Sequence, residues 1–202
     1  MKLYFSRGSC ALAVHIALAE AGLKYETEEV DLRVTPHKTA SGRLYTEINP
    51  KGYVPTLVLD NSELLTEGQV VLQYVADQAP QKALIPKAGE FARYRLQEWL
   101  AFISTEVHKG FAPLWNPATP QEQKDAAWER LTTRIAHANE ALNGKEYLME
   151  NFSVADAYLF TCLRWTGFFK KPLTAYPHLL AWMERVAARP AVKQAMQEEG
   201  LR

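Results

Sequence analysis

The sequence predicts a small α/β domain followed by an all-α domain. Three observations carry this expectation. Through residues 1–80 short β-prone runs alternate with helical stretches. Residues 81–87 then lose periodicity around Pro86 and read as a linker. From residue 88 to 202 strand signals vanish, and apolar residues recur every three or four positions as on one face of a helix.

Lys2-Leu3-Tyr4-Phe5 is a short β-prone run ended by Ser6-Arg7-Gly8-Ser9. From Cys10 to Gly22 the pattern is helical, with Leu12, Ile16, Ala19 and Leu23 in step and Gly22 suited to a left-handed helix end. Tyr25 to Leu32 returns to strand character. Asn49-Pro50-Lys51-Gly52 is a turn cluster, and Thr56–Leu59 reads as a buried strand that turns at Asp60-Asn61 into a hairpin with Glu63-Leu64-Leu65. Thr66 is placed to cap a helix with Val70, Val71, Tyr74 and Val75 on its apolar side. The expected order is β-α-β, a variable segment, then β-β-α.

Beyond the linker, Phe91 to Val107 traces one long amphipathic helix, and Pro113, Pro117 and Pro120 interrupt the chain. A second long helix places Ala127, Leu131, Ile135, Ala138 and Leu142 on one stripe and stops at Gly144. Ser153 fits an N-cap, with Asp156 three residues on reaching back to its N–H and Phe152 stapled against the helix. Ala157 to Phe168 is apolar enough for a central buried helix, and Pro190 suits a helix start.

Lys+Arg and Asp+Glu both count 23, so charge gives no reason to expect a nucleic acid or an anionic membrane as partner. No stretch approaches the ~20 consecutive apolar residues that span a bilayer. The opening run is too short for an export signal, so a reducing, cytoplasmic setting is expected, with Cys10 and Cys162 as thiols. The five histidines show no metal-ligand spacing, and no metal is expected.

Cys10 stands where the turn after the first strand meets the first helix. The positive helix end and its unpaired N–H groups favour a thiolate there; the alternative is a small buried apolar residue. Cys162 lies mid-helix among large apolar neighbours and reads as core. Pro55 marks either a strand start or a cis bond; if cis, the Val54 backbone can pair with an extended, peptide-like ligand. Glu67-Gly68 opens a helix, whose N–H groups can hold a carboxylate while Glu67 holds an ammonium; plain capping explains the same residues. His108, near a helix end, is either a surface cation or a proton shuttle.

Ser9-Cys10, Asn49-Pro50-Lys51-Gly52-Tyr53-Val54-Pro55, Leu65-Thr66-Glu67-Gly68, His108-Lys109-Gly110-Phe111 and Ser153-Val154-Ala155-Asp156-Ala157-Tyr158 follow one another in a recognisable order. Together they resemble bacterial beta-class glutathione S-transferases, from Met1 to Arg202. The resemblance implies a thioredoxin-like N-terminal domain, an all-α C-terminal domain and a homodimer. It implies a cis Pro55, with Val54 binding the cysteinyl unit of glutathione, and Glu67 and Gly68 holding the γ-glutamyl end. Tyr53 and one of His37 or Lys38 would lie near the glycyl end; Thr105, Glu106 and His108 match further contacts. Cys10 and His108 would flank the sulfur, and Phe111 and Trp165 would wall the pocket of a second substrate. Ala101 stands where family members often carry an asparagine, so one contact should be missing.

The activity so implied is attack of the glutathione thiolate on a small hydrophobic electrophile, a detoxification chemistry driven by positioning and thiol activation. Thiol–disulfide exchange through Cys10 is a second possibility. The alternatives are a glutathione-dependent reductase or dehalogenase, and a non-catalytic ligand-binding protein of the same fold.

Overall fold

Leu3, Tyr4 and Phe5 are all buried, because their strand β1 (Lys2–Phe5) lies at the centre of a five-stranded sheet. In the computed structural model, which describes residues 1–201, the order is β3-β2-β1-β4-β5. β2 (Glu26–Asp31) runs parallel to β1. β3 (Lys38–Thr39), β4 (Thr56–Val58) and β5 (Leu64–Thr66) add antiparallel pairings. The parallel pair needs a crossover, supplied by α1 (Ala11–Ala21). Gly22 ends α1 at φ 67°, in the left-handed region expected of it. The hairpin at Asp60-Asn61 forms as expected, while β3 was missed: at two residues it is too short to show a period. α2 (Gly68–Asp77) packs on α1 and completes the thioredoxin-like arrangement.

The helical part begins with α3 (Phe91–Phe102). The expected single helix to Val107 instead changes hydrogen-bond pattern: a π turn spans Ile103–His108, a 3₁₀ turn spans Lys109–Phe111, and α4 (Ala112–Trp115) follows. Pro113 is accommodated in the first turn of α4, where its missing N–H costs nothing. α5 (Gln121–Ala141), α6 (Val154–Phe168) and α7 (Pro177–Ala188) follow, and the faces of α6 are mostly buried, as its composition predicts. Asp156 accepts hydrogen bonds from the Ser153 N–H and hydroxyl, the Leu148 N–H and Trp182 Nε1, each at 2.9 Å. It ties the start of α6 to α7 and to the loop before it.

The chain divides into two compact units: the break after Leu84 falls inside the expected 81–87 linker, and the larger departure from the expected 88–202 helical domain is at its C-terminal end. Ile85–Arg189 forms one unit, whereas the chain from Pro190 onward, including α8 (Pro190–Glu198), belongs with Met1–Leu84. The reason is chemical: His15 of α1 is buried and meets Glu198 and Glu199. Arg202, the last residue of the expected second domain, lies outside the described residues.

Candidate active site

In the first unit Ser9 and Cys10 deliver the chain into α1. The Ser9 hydroxyl accepts the Ala11 N–H at 3.2 Å, so Ser9 rather than Cys10 answers that early donor of the helix. The Cys10 thiol is half-buried and donates to the Val54 carbonyl oxygen at 3.4 Å. The Val54–Pro55 bond is cis, as the family resemblance implies.

A buried polar network fixes the neighbouring segment. The Tyr53 carbonyl accepts from the Tyr45 hydroxyl and from Asn49 Nδ2, both at 2.8 Å. Thr56 Oγ1 lies 2.6 Å from the Tyr45 hydroxyl and 3.0 Å from Asn49 Nδ2. Asn49 and Tyr45 thus hold the Tyr53 backbone while the Tyr53 side chain stays 72% exposed. Sequence reasoning had Asn49 only as a turn former and missed Tyr45; a polar group buried near a turn is its only sequence signal.

Glu67, not Thr66, is the residue that precedes α2, and its φ of 67° is unusual for a side-chain-bearing residue. Such conformations persist where surrounding structure enforces them, and they cluster at ligand sites. The Glu67 carboxylate pairs with Lys51 Nζ at 2.6 Å, and the same ammonium reaches Thr66 Oγ1 at 3.1 Å. Lys51 therefore occupies the position expected of a ligand's ammonium. Gly68 begins the helix beside Pro55: a Cβ there would meet the proline ring at 3.7 Å.

His37 and Lys38 part company. The His37 ring lies beside Gly52, about 4.0 Å from where a Cβ would stand, with Nδ1 2.7 Å from the Val34 carbonyl. Lys38 instead lines a groove of about 690 Å³ with Ser6, Arg7, Glu29 and Asp31. Neighbouring positions on extended chain face opposite ways, which accounts for the split.

The second unit also separates its candidates. Thr105 and Glu106 line a cleft of about 230 Å³ against α5, where Glu106 pairs with Arg134 Nε at 2.6 Å and Thr105 donates to the Ala101 carbonyl. His108 turns to α6: its Nδ1 lies 2.7 Å from the Tyr158 hydroxyl, and its ring meets Trp165 edge-on at 5.1 Å. Burial, helped by nearby Lys109, pushes the His108 pKa down to about 4, so the ring is neutral at pH 7. The neutral ring and the tyrosine hydroxyl therefore share one hydrogen bond through Nδ1, its direction set by the ring tautomer.

The expectation that Phe111 walls a pocket needs correction. Phe111 is 0% exposed, packed edge-on to Trp165 and stacked on Phe169, and it presents no surface to a ligand. Trp165 is nearly as buried, while Trp115 and Phe168 carry the exposed edge of the same aromatic cluster. Apolar residues one helical turn apart look alike in sequence, and tertiary packing alone decides which is covered.

Two sequence-family descriptions match the chain: Glutathione S-transferase, N-terminal domain over residues 8–78, and Glutathione S-transferase, C-terminal domain over residues 102–190. Glutathione S-transferase GstA of Escherichia coli O157:H7 is 42% identical over 203 residues, covering 100% of both chains. The chain belongs to the glutathione S-transferase family. Among solved structures, the ternary complex of BphK, a bacterial GST, is 50% identical with a TM-score of 0.97 over 100% of both chains. A bacterial beta-class glutathione S-transferase from Sphingomonas chungbukensis is 42% identical with a TM-score of 0.96, again over 100% of both. The transferase is thus an enzyme of the beta-class type by likeness in both sequence and fold. Among the described residues no helix is long and apolar enough to cross a membrane.

Proposed function

We propose that this transferase binds glutathione on its first unit and joins the glutathione sulfur to a small hydrophobic electrophile. The carrying observation is the 3.4 Å approach of the Cys10 sulfur to the Val54 carbonyl. A peptide N–H accepted by that carbonyl would bring its own cysteine side chain beside Cys10. Glu67 and the first N–H groups of α2, at Gly68, take the γ-glutamyl ammonium and carboxylate; Lys51 yields the Glu67 carboxylate as the ligand arrives. His37, next to Gly52 and Tyr53, serves the glycyl end in preference to Lys38.

In the reaction, the glutathione sulfur forms a bond to the electrophilic carbon. The bond to the leaving group breaks with its electron pair, and the thiol proton passes to solvent. Neutral His108 acts in this proposal as a hydrogen-bonding group rather than as a cation. Thr105 and Glu106, turned toward α5, have a secondary part in it. Homodimeric assembly and a cytoplasmic setting complete the proposal.

Steady-state turnover of glutathione with a reactive aryl halide tests it: tight glutathione binding without turnover would overturn conjugation. A second reading, thiol–disulfide exchange, is favoured by the half-buried thiol of Cys10. There the Cys10 thiolate attacks glutathione disulfide, forms a mixed disulfide and releases one glutathione thiolate. Intact mass before and after reductant distinguishes it.

A further inference from the structure

We propose that Glu199 is a positioning residue for the Cys10 thiol, holding the turn before that thiol through Gly8; this rests on the reading of Cys10 as a thiol-site residue. The Glu199 side chain is 0% exposed. Its Oε2 accepts the Gly8 N–H at 2.8 Å and its Oε1 lies 3.1 Å from His15 Nδ1. One oxygen therefore holds the turn before Cys10, and the other holds the helix after it. Together they set how the turn enters α1.

The charge arrangement explains why a carboxylate can be buried there. The second ring nitrogen of His15 meets Glu198 Oε2 at 2.7 Å, and that oxygen also accepts the Tyr25 hydroxyl at 3.2 Å. A neutral imidazole has one N–H to donate. Ionised carboxylates on both nitrogens are satisfied only by the imidazolium, whose single charge is shared between buried Glu199 and the partly exposed Glu198.

The clasp is backed by shape. Gly8 has a φ of 67°, and a Cβ on it would stand 3.5 Å from the Leu201 side chain. Gly200, at φ 68°, ends α8 so that the Leu201 N–H returns to the Met196 carbonyl at 2.8 Å. Residues 199–201 thus close over residues 7–8. From Gly8 the constraint passes directly on: the Ser9 N–H bonds the Ser6 carbonyl at 3.0 Å, and Ser9 leads into Cys10.

The test uses the full chain and an aromatic disulfide reagent that modifies accessible thiols. Cys162 is 0% exposed, so the fast phase reports Cys10. Losing a hydrogen bond to a charged group should loosen the turn, so Glu199→Ala should speed Cys10 modification by about tenfold and lower kcat/KM for glutathione by a similar factor. Cys162 should stay unmodified. Glu199→Gln keeps an oxygen for the Gly8 N–H and should restore both values to within about twofold. Tyr25→Phe loosens the Glu198 side without touching Gly8, and should lower Tm while leaving Cys10 reactivity unchanged. Equal Cys10 rates in Glu199→Ala and wild type would overturn the proposal. If the alanine variant does not fold, amide exchange in the wild type decides. A Gly8 N–H as protected as the α1 amides supports the clasp, and one that exchanges like an exposed turn overturns it. Because the reagent reads Cys10 directly, a wild type without glutathione turnover would remove the thiol-site reading and leave the Glu199 result standing.

Discussion

The Cys10 sulfur donates to the Val54 carbonyl oxygen at 3.4 Å, joining the start of α1 to the segment before β4 across 44 residues of sequence. The same carbonyl is the acceptor proposed for glutathione, so the thiol and a bound ligand share one oxygen. A net hydrogen bond of this kind contributes about 1 kcal/mol. Cys10→Ala should therefore change glutathione affinity by only a few-fold, and lower kcat/KM by roughly tenfold or more if the thiol contacts the reacting sulfur. Calorimetry and initial rates measure the two separately. Full activity in the alanine variant would reduce Cys10 to a structural or redox role.

His108 should titrate far below an ordinary histidine. Burial, with Lys109 nearby, depresses its pKa to about 4, whereas the unfolded chain has it near ~6.5. Between those values the unfolded state binds more protons than the folded one. The contribution of neutral His108 to stability is therefore whole above the unfolded value and is lost as pH falls through about 4. A ring titration followed by NMR should show its midpoint near that lower value, and kcat should lack a limb from this group near neutrality. A midpoint at the unperturbed value would mean the ring is solvated. Tyr158→Phe should change the tautomer balance of the ring, because the hydroxyl that occupies Nδ1 is gone.

Asp156 should be among the least replaceable residues of the helical unit. It is 0% exposed and serves four donors, from Ser153 twice, Leu148 and Trp182. Alanine would leave those donors buried without an acceptor, at a cost of roughly 3 kcal/mol or more. A fall in the urea midpoint with an unchanged m-value would register it. Ser153→Ala removes the hydroxyl donor alone, leaves the Ser153 N–H bond to Asp156 in place, and should cost about 1 kcal/mol. Similar losses in the two variants would contradict the hub role of the carboxylate.

Legibility in the sequence depends on the reach of each interaction. Ser153 and Asp156 are three residues apart, and Gly22 acts within one helical turn, so local patterns announce them. Cys10 was recognisable as a helix-start thiol for the same reason. The return of α8 to the first unit was not, since Glu199 and His15 are 184 residues apart and each alone reads as an ordinary polar residue. Nor was the π turn at Ile103–His108, because widening one turn leaves the apolar spacing nearly intact while rotating the residues after it. Glu106 faces α5 and His108 faces α6, as positions two apart on a helix do, and Phe111 beyond them is buried. The pairing of Lys51 with Glu67 escaped for a different reason: an exposed ion pair leaves no mark on local pattern or periodicity.

Gly110 offers a test of how tightly the altered helical turn is held. A Cβ there would come within 3.0 Å of Leu131 Cδ1 on α5, and Leu131 is 1% exposed, so its side chain must shift by about a few tenths of an ångström against its neighbours. Overpacking of this kind costs about 1–3 kcal/mol, so Gly110→Ala should lower the unfolding midpoint measurably. Leu131→Ala alone should cost about 2–5 kcal/mol through the cavity it leaves. In the double variant the added methyl stands in part of that cavity, and the clash disappears. The combined loss should therefore be smaller than the sum of the two single losses, by more than the ~0.5 kcal/mol scatter of independent sites. Strict additivity would show that the backbone shifts to relieve the contact. In that case His108, two residues earlier at the end of the π turn, should move with it and titrate differently in Gly110→Ala.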